Sequence, residues 1–359
     1  MMTPACRDGS ARRDGPVRCA VAGLGRIGSS LETDRLREKP ASHAGAIRAN
    51  PDAALVAGAD PDPAAREAFA ALWNLPTSAL FPDAASMLDA AKPDILHIAC
   101  DTDAHVPLLR LALDRRVPVV VLEKPVARSL AEARRVLREV ERAEREGRSR
   151  VVVNHERRFA RDWRRAREIV RSGEYGPLRS VHARLYMGMS QRVDAVLWHD
   201  GTHLADALRF VLGPWRAVSV RGDVRSSEGN VLVVGETAER CAGGPVTVTI
   251  EASPGRDHLL FECDLSFASG RVRVGNGVFE EWKSAPSPLY ERFRSLEPVT
   301  SLGTNPYAET GYFAGMMAHA IALARDPGLP IASSFRDGVA ALEILDRIIR
   351  LGSRPAIFR

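Results

Sequence analysis

Short runs of apolar residues alternate with amphipathic segments over the first 155 residues of the chain. The runs are RCAVA (18–22), LVAGAD (55–60), DILHIACD (94–101), VPVVVLEKP (117–125) and VVVN (151–154). They are apolar almost without a break, which is typical of strands buried on both faces of a parallel sheet. Segments with helical patterning lie between them, at 63–74, 83–91, 105–116 and 129–146. This alternation predicts an α/β domain with a doubly wound parallel sheet over residues 18–155.

The pattern changes beyond about residue 156. Five segments alternate apolar and polar residues or are rich in Val and Thr, at 178–186, 216–224, 246–253, 259–267 and 271–276. They predict a largely antiparallel open sheet, with helices at 200–212 and 305–326 covering one face. A last helix is predicted to begin at Ser334, with Asp337 at capping-box spacing. We therefore predict a flexible N-terminus (1–17), a Rossmann domain (18–155) and a C-terminal α+β domain (156–359).

Composition and charge narrow the classes of protein to which the chain can belong. A length of 359 residues with 45% hydrophobic residues fits two domains. No apolar run reaches the roughly 18 residues that a membrane-spanning helix needs. The formal charge of +5 comes from arginines interleaved with acids, which is typical of ion-paired helices rather than a nucleic-acid surface. Five scattered cysteines indicate a reducing compartment, so we expect a cytoplasmic protein without nucleic-acid or membrane partners.

A GxGxxG motif of Gly23, Gly25 and Gly28 lies between the first strand and a predicted helix. The first glycine permits the tight turn, the second lets backbone approach a pyrophosphate, and the third lets helix and strand pack closely. In this context the motif predicts a dinucleotide-binding turn that includes Ile27. Arg26, inside the turn, is either a phosphate contact or an ordinary exposed arginine.

Asp60 ends the second predicted strand. Its carboxylate suits an adenosine ribose and repels a 2′-phosphate, which favours NAD and leaves NADP as the alternative. Its distance from Gly28 is well beyond the roughly 20 residues of the usual unit, so residues 31–50 are predicted to be an irregular polar insertion. Thr102, which follows the third strand, is a further candidate for contact with the cofactor.

Several motifs together resemble the family of glucose-fructose oxidoreductase, inositol dehydrogenase and MocA. They are GLGRIG (23–28), VLEKP (121–125), VNHERRF (153–159), GEYGPLRSVHARL (173–185) and DGTHLAD (200–206), and the resemblance extends over nearly the whole chain from residue 18. It implies an NAD(P)-dependent dehydrogenase or reductase that acts on CH–OH groups of a sugar, cyclitol or related polyol. It also implies a homodimer or homotetramer.

The resemblance makes Lys124 the candidate catalytic lysine. Only four of the 50 basic residues are lysines, so a lysine at a strand end departs from the composition of the chain. A hydroxyl that loses a hydride becomes strongly acidic, and a nearby amine can take its proton or return it in reduction. Glu123 is a candidate for orienting Lys124 or contacting the cofactor. The other Glu-Lys-Pro, at 38–40, has no strand before it and is interpreted as a chance repeat.

The resemblance also assigns a histidine, His203, to hydrogen-bond the reacting hydroxyl. The family pattern has an aspartate one helical turn earlier, but here His199 takes that position and Asp200 follows it. Either His199 or Asp200 is expected to partner Lys124. A zinc site of His199, His203 and Asp206 is disfavoured, so no metal is expected.

The candidate substrate contacts lie near the predicted domain junction. Asn154 and Arg157 follow the strand at 151–154, with an interdomain ion pair as the alternative for Arg157 and its neighbour Arg158. Tyr186 and Trp198 are candidates for an apolar wall, with core packing as the alternative. His203 completes the predicted substrate site.

Three functional hypotheses follow from these residues. The favoured one is hydride transfer between NAD and a secondary alcohol or ketone of a polyhydroxylated small molecule, with Lys124 as acid and base. The departure at His199 supports an alternative in which transient oxidation by bound NAD enables elimination or glycoside cleavage without net redox change. A catalytically silent NAD-sensing protein is least favoured, because Lys124 and His203 are both present.

Overall fold

The computed structural model describes residues 15–188, 191–238, 244–299 and 305–353. Its first sheet contains β1 (Val17–Ala22), β2 (Ala53–Ala59), β3 (Leu80–Phe81), β4 (Ile95–Ile98), β5 (Val119–Leu122) and β6 (Arg150–Val153). These strands are parallel and lie in the order β3-β2-β1-β4-β5-β6. This is the doubly wound order of a dinucleotide-binding domain, with its switch point between β1 and β4. Strands β4 and β5 are buried along their whole length, which explains their unbroken apolar runs.

Five helices connect these strands: α1 (His43–Ala49), α2 (Pro63–Trp73), α3 (Ala84–Ala91), α4 (Thr102–Asp114) and α5 (Leu130–Arg145). Four of them begin at a side-chain cap. The Ser42, Asp62, Asp83 and Ser129 side chains each accept a hydrogen bond from a backbone amide of the first turn. Such caps satisfy amides that have no partner inside the helix, so they fix where these helices begin.

The predicted insertion at 31–50 is wrong in its second half, because α1 occupies residues 43–49. The backbone amide of His43 donates to Ile27 (3.0 Å) and that of Ala44 donates to Gly28 (3.0 Å). A helix that continued directly from the glycine turn would make the same bonds. The excursion therefore lies between Gly28 and His43, and without it Asp60 follows the turn at the usual spacing of roughly 20 residues.

The second sheet contains eight strands: β7 (Leu178–Tyr186), β8 (Trp215–Arg221), β9 (Val231–Thr237), β10 (Thr247–Ser253), β11 (Leu260–Phe267), β12 (Gly270–Gly275), β13 (Val278–Pro286) and β14 (Arg294–Pro298). Their order is β14-β13-β12-β11-β7-β10-β9-β8. Every neighbouring pair is antiparallel except β7 and β10. The predicted fold class is therefore confirmed, although strands β3, β9, β13 and β14 were missed.

One face of this sheet is covered by α6 (Arg161–Ser172), α7 (Val193–His199), α8 (Gly201–Leu212) and α10 (Phe335–Gly352). The predicted capping box at the start of α10 is present, between Ser334 and Asp337. Cross-strand ion pairs lie on the other face, such as Arg184 and Arg273 with Glu262 at 2.7 and 2.6 Å. Homo-oligomerisation of the chain stays a prediction.

The helix predicted at 305–326 is α9 (Tyr312–Arg325), and it does not cover the second sheet. Its residues Phe313, Met316 and Ile321 share a buried cluster with Val21 of β1 and Val121 of β5. The chain therefore returns to the Rossmann sheet. The prediction was wrong because the apolar face of a helix does not indicate which sheet it will cover. The domain division at residue 155 stays a prediction. No helix in the described ranges is long and apolar enough to cross a membrane.

Candidate active site

The three motif glycines differ in what surrounds them. Gly23 has φ +93°, and a Cβ there would lie 2.6 Å from the carbonyl oxygen of Ala99. A Cβ on Gly28 would lie 2.0 Å from the carbonyl oxygen of Gly23, whereas one on Gly25 would meet nothing within 4 Å. The first and third glycines are thus required by the chain's own packing. The second faces open space, where its backbone can approach a diphosphate.

Asp60 lies at the carboxyl end of β2, beside this turn. Its Oδ2 accepts from the backbone amide of Leu24 (2.8 Å) and its Oδ1 from that of Asp62 (2.9 Å). These bonds fix the carboxylate at the sheet edge where ligands bind in open α/β sheets. The position fits the predicted contact with an adenosine ribose.

The other predicted cofactor residues also surround this edge. Arg26 is exposed, and its side chain has no hydrogen-bond or ion-pair partner in the part of the chain that the structure describes. Ile27 is half-buried against the cluster beneath the turn. Thr102 is the first residue of α4, directly after β4. The structure therefore brings all three to the carboxyl side of the sheet.

Glu123 is buried at the end of β5. Its Oε1 accepts hydrogen bonds from His43 Nε2 (2.9 Å) and from Asn154 Nδ2 (2.6 Å). Burial alone would raise the pKa of Glu123, but the bond and charge of His43, with Lys124 and Asn154, lower it to about 2. Glu123 is therefore an ionised carboxylate at the strand end that carries Lys124.

Two buried histidines extend this arrangement, and sequence reasoning assigned neither of them to the site. The Nδ1 atoms of His43 and His97 lie 2.9 Å apart, so one ring donates a proton to the other. Burial, followed by the charge of His43, lowers the pKa of His97 well below its usual range. Of the signals available, only the position of His97 inside an apolar run pointed to a buried ring.

Lys124 follows Glu123 and is half-buried. Its backbone amide lies 3.3 Å from Glu123 Oε2, while its Nζ makes no hydrogen bond to any residue that the structure describes. The ring of His105 contacts the carbonyl oxygens of Pro125 (2.7 Å) and Cys100 (3.0 Å). The turn that presents Lys124 is thus fixed on both sides while its amine is unengaged.

His203 lies in the first turn of α8, with its Nδ1 buried and without a hydrogen-bond partner among the described residues. Burial, followed by the charges of Lys124 and Arg157, lowers the pKa of His203 well below its usual range. The ring is therefore neutral at pH 7. It lies within electrostatic reach of Lys124. The hydrogen bond from His203 to a reacting hydroxyl stays a prediction.

The relation of His199 to His203 differs from the helical one that the family pattern implies. Helix α7 ends at His199 and α8 begins at Gly201, so the chain turns at Asp200. The His199 side chain is 63% exposed, and its Nδ1 lies 3.2 Å from Asp200 Oδ1. Neither side chain hydrogen-bonds to Lys124 in the structure.

Asp206 is engaged elsewhere. Its two carboxylate oxygens accept from Nε and Nη2 of Arg158, each at 2.8 Å, and the pair is buried. The described residues contain no group of three or more His, Cys, Asp or Glu side chains that could hold a metal ion. Arg158 therefore forms an ion pair, but its partner lies with it in the predicted C-terminal domain, so this is not the interdomain pair that the sequence left open.

Two predicted substrate residues contact protein groups. Arg157 donates to Glu156 Oε1 (2.9 Å) and Asn276 Oδ1 (3.1 Å), and its guanidinium carbon lies 3.8 Å from the ring centre of Phe261. Asn154 holds Glu123, while its Oδ1 is buried without a partner among the described residues. Both residues border the site, and Asn154 acts on Glu123 directly.

The two aromatic candidates lie against the protein itself. Tyr186 is buried at the end of β7, with the guanidinium of Arg256 4.4 Å from its ring centre and the ring of His258 at its edge. Trp198 packs against the main core from α7. These contacts match the packing alternative that the sequence left open for both rings.

Comparison with known proteins agrees with this geometry. Residues 17–155 match the model of an oxidoreductase family described as having an NAD-binding Rossmann fold, the family of glucose-fructose oxidoreductase, inositol dehydrogenase and MocA. The chain is 28% identical over 351 residues to the inositol 2-dehydrogenase of Rhizobium meliloti, covering 93% of this chain and 96% of that protein.

Solved structures share the fold. An inositol dehydrogenase homologue from Azotobacter vinelandii, complexed with NAD+, superposes with a TM-score of 0.71 at 17% identity, covering 97% of this chain and 98% of that one. A myo-inositol dehydrogenase from Corynebacterium glutamicum superposes with a TM-score of 0.70 at 19% identity, covering 94% of this chain and 96% of that one. With the strand order and the glycine turn, the match over residues 17–155 shows an NAD-binding Rossmann domain like that of the Gfo/Idh/MocA oxidoreductases, and the solved structures show that their fold extends over the rest of the chain.

Proposed function

We propose that this protein oxidises a secondary alcohol of a cyclitol, sugar or related polyol, with Lys124 as general acid and base and His203 as hydrogen-bonding partner of the reacting oxygen. One observation carries the proposal. The Nζ of Lys124 and the Nδ1 of His203 both lack partners among the described residues, and the charge of Lys124 acts on His203. Unsatisfied buried polar atoms are rare in proteins, so the one on His203, near the half-buried and unengaged amine of Lys124, supports a ligand site.

The residues around the glycine turn fit NAD. Open space at Gly25 admits a diphosphate, the exposed Arg26 is free to pair with it, and Asp60 offers a carboxylate to a ribose. When bound, NAD supplies the acceptor for the two electrons that leave the alcohol carbon. We propose NAD over NADP because Asp60 would lie close to a 2′-phosphate of the same charge.

The proton chemistry belongs to residues of the chain. We propose that Nζ of Lys124 takes the hydroxyl proton in oxidation and returns it in reduction. His203, being neutral, can donate to or accept from the same oxygen. Asp200 is less exposed than His199, at 21% against 63% of the side chain, so we propose Asp200 as the nearer aid to this relay.

The substrate class rests on the named relatives and on the polar lining. An inositol 2-dehydrogenase matches this chain over 96% of its own length. Asn154 and Arg157 border the site, and the charge of Arg157 reaches His203. A polyol offers several hydroxyls to such a lining, whereas an apolar alcohol would leave these groups without partners.

The test follows the absorbance of reduced nicotinamide with a panel of cyclitols, sugars and their keto forms, using NAD and NADP separately. We expect turnover by the wild-type protein and its loss in Lys124→Ala, with NAD binding retained. His203→Asn should lower kcat to a smaller extent. Undiminished turnover by Lys124→Ala would refute the assignment of Lys124.

A second candidate function rests on the contacts of Asp200. Because Asp200 contacts His199 instead of Lys124, the lysine has no fixed negative partner on that side. Bound NAD could then serve a transient oxidation that enables elimination or glycoside cleavage, without net redox change. This candidate predicts product without NADH accumulation, and stoichiometric NADH would exclude it.

A further inference from the structure

A cavity that is open to solvent lies between α6, α8 and the segment before α10. Its volume is about 800 Å³, and neither Lys124 nor His203 lines it. Four arginines line it, together with one acidic side chain, Glu168, and the ring of Phe210; the arginines are Arg158, Arg164, Arg167 and Arg171. The cavity therefore has a strongly positive lining, separate from the candidate active site.

Among the described residues, only one of these arginines has carboxylate partners. Arg158 is paired with Asp206 (2.8 Å) and Asp337 (3.0 Å). The other three recur along one face of α6, and none forms an ion pair within the described ranges. Glu168 does not neutralise them, because it leans toward Arg165 at 3.8 Å. Three guanidinium groups thus lie along the cavity without an ion-pair partner among the residues that the structure describes.

Arg167 is half-buried, whereas Arg164 and Arg171 are exposed. Its guanidinium carbon lies 4.3 Å from the ring centre of Phe210, and its Nε is buried without a hydrogen-bond partner among the described residues. Burial, followed by the charges of Arg171, Arg158 and Arg164, lowers the pKa of Arg167. A partly buried cation beside other cations is destabilised, and a bound anion would relieve this.

We propose that this cavity binds a small phosphate-bearing molecule, with its phosphate oxygens on Arg164, Arg167 and Arg171. The planar donor fork of a guanidinium matches phosphate, and several forks on one face can share a single phosphoryl group. Phe210 offers an apolar surface for the rest of the ligand. The cavity volume lies within the roughly 300–1,000 Å³ that is typical of small-molecule sites.

The experiment is titration calorimetry with inorganic pyrophosphate on protein saturated with NAD, at constant ionic strength near 0.15 M, where the Debye length is about 8 Å. NAD is present because the glycine turn also binds phosphate. We expect saturable binding by the wild-type protein. Arg164→Gln with Arg171→Gln should weaken it at least about tenfold, which is the loss of roughly one charge-assisted hydrogen bond.

The matched control removes two exposed arginines from another helix, Arg135→Gln with Arg138→Gln on α5, and should keep the wild-type affinity. Circular dichroism and thermal melting establish that both double variants fold, which is expected because Arg164 and Arg171 are exposed. Equal affinity of the cavity variant and the wild type would overturn the proposal. Equal weakening in both double variants, or no saturable binding by the wild type, would overturn it too.

Discussion

The tripeptide Glu-Lys-Pro occurs at 38–40 and again at 123–125, and the Lys–Pro bond is cis in both copies. In the first copy Lys39 is tied down, since its Nζ donates to the carbonyl oxygens of Glu32 (2.5 Å) and Asp34 (2.6 Å). In the second copy the Nζ of Lys124 makes no hydrogen bond to a described residue, and its charge acts on His203. The same three residues therefore yield a structural lysine in one place and an unengaged amine in the other.

The two glutamates are both engaged, but with different partners. Glu38 accepts from the backbone amides of Thr310 (2.8 Å) and Gly311 (2.5 Å), which joins the excursion to the segment before α9. Glu123 is buried and held by His43 and Asn154. The tripeptide alone does not set its role: β5 carries the second copy to the sheet edge, and no strand precedes the first.

Exchanging the two lysines for alanine is the sharpest test of this difference. Lys124→Ala should lower kcat by about 10³-fold, because general acid–base catalysis typically contributes 10²–10⁴-fold. Lys39→Ala should leave kcat within about twofold and serves as the control. The measurement is NADH formation on the substrate that the panel identifies. Similar losses in both variants would remove the distinction.

The substitution His43→Leu removes the hydrogen bond from His43 to the buried carboxylate of Glu123. The variant removes one partner of a buried carboxylate, which typically costs about 3 kcal/mol. We expect the free energy of unfolding in urea to fall by that amount, with kcat lowered as well. A loss below about 0.5 kcal/mol would mean that Asn154 alone holds Glu123.

A buried acid near the first copy should make stability depend on pH. Burial raises the pKa of Asp162 to about 6, against the hydrogen bond from the Trp163 amide, and the charge of Glu38 adds to the rise. Because this pKa exceeds the unfolded value, ionisation of Asp162 destabilises the folded state. This loss of stability is absent below about pH 4 and grows until the pH passes about 6. Asp162→Asn should therefore stabilise the protein by about 2 kcal/mol at pH 8 and by nothing at pH 4. Equal gains at both pH values would contradict this.

The smallest expected effect is that of Glu38→Gln. It removes the charge that holds Thr310 and Gly311, so we expect a loss of about 1 kcal/mol in unfolding free energy. It should leave kcat unchanged, and it should lower the pH at which the penalty from ionised Asp162 levels off, because that pH follows the folded-state pKa, which the charge of Glu38 raises. Chemical denaturation at several pH values measures both. A fall in kcat would give the first copy a role in the active site.

Local patterns were sufficient for much of the fold. The apolar runs predicted five of the six Rossmann strands, because a strand buried on both faces must be apolar at successive positions. The spacing of Gly23, Gly25 and Gly28 predicted the turn, since the steric requirement for glycine in such a turn depends mainly on the local backbone. Caps such as Ser334 marked where helices begin.

The predictions that failed, or that could not be made, concern contacts between distant parts of the chain. Helix α1, the buried His43 and its bond to Glu123 join segments 80 residues apart. Helix α9 was predicted for the wrong sheet, and the turn at Asp200 separated His199 from the helix of His203.

The sequence by itself determined the elements, the glycine turn and the set of chemical groups, because these depend on the periodicity and conformation of a few neighbouring residues. Only the tertiary structure decided that Lys39 is engaged while Lys124 is unengaged, and that Asp206 belongs to Arg158. Those pairings depend on how sheets and helices pack, and the local sequence does not specify which distant residue a side chain will contact.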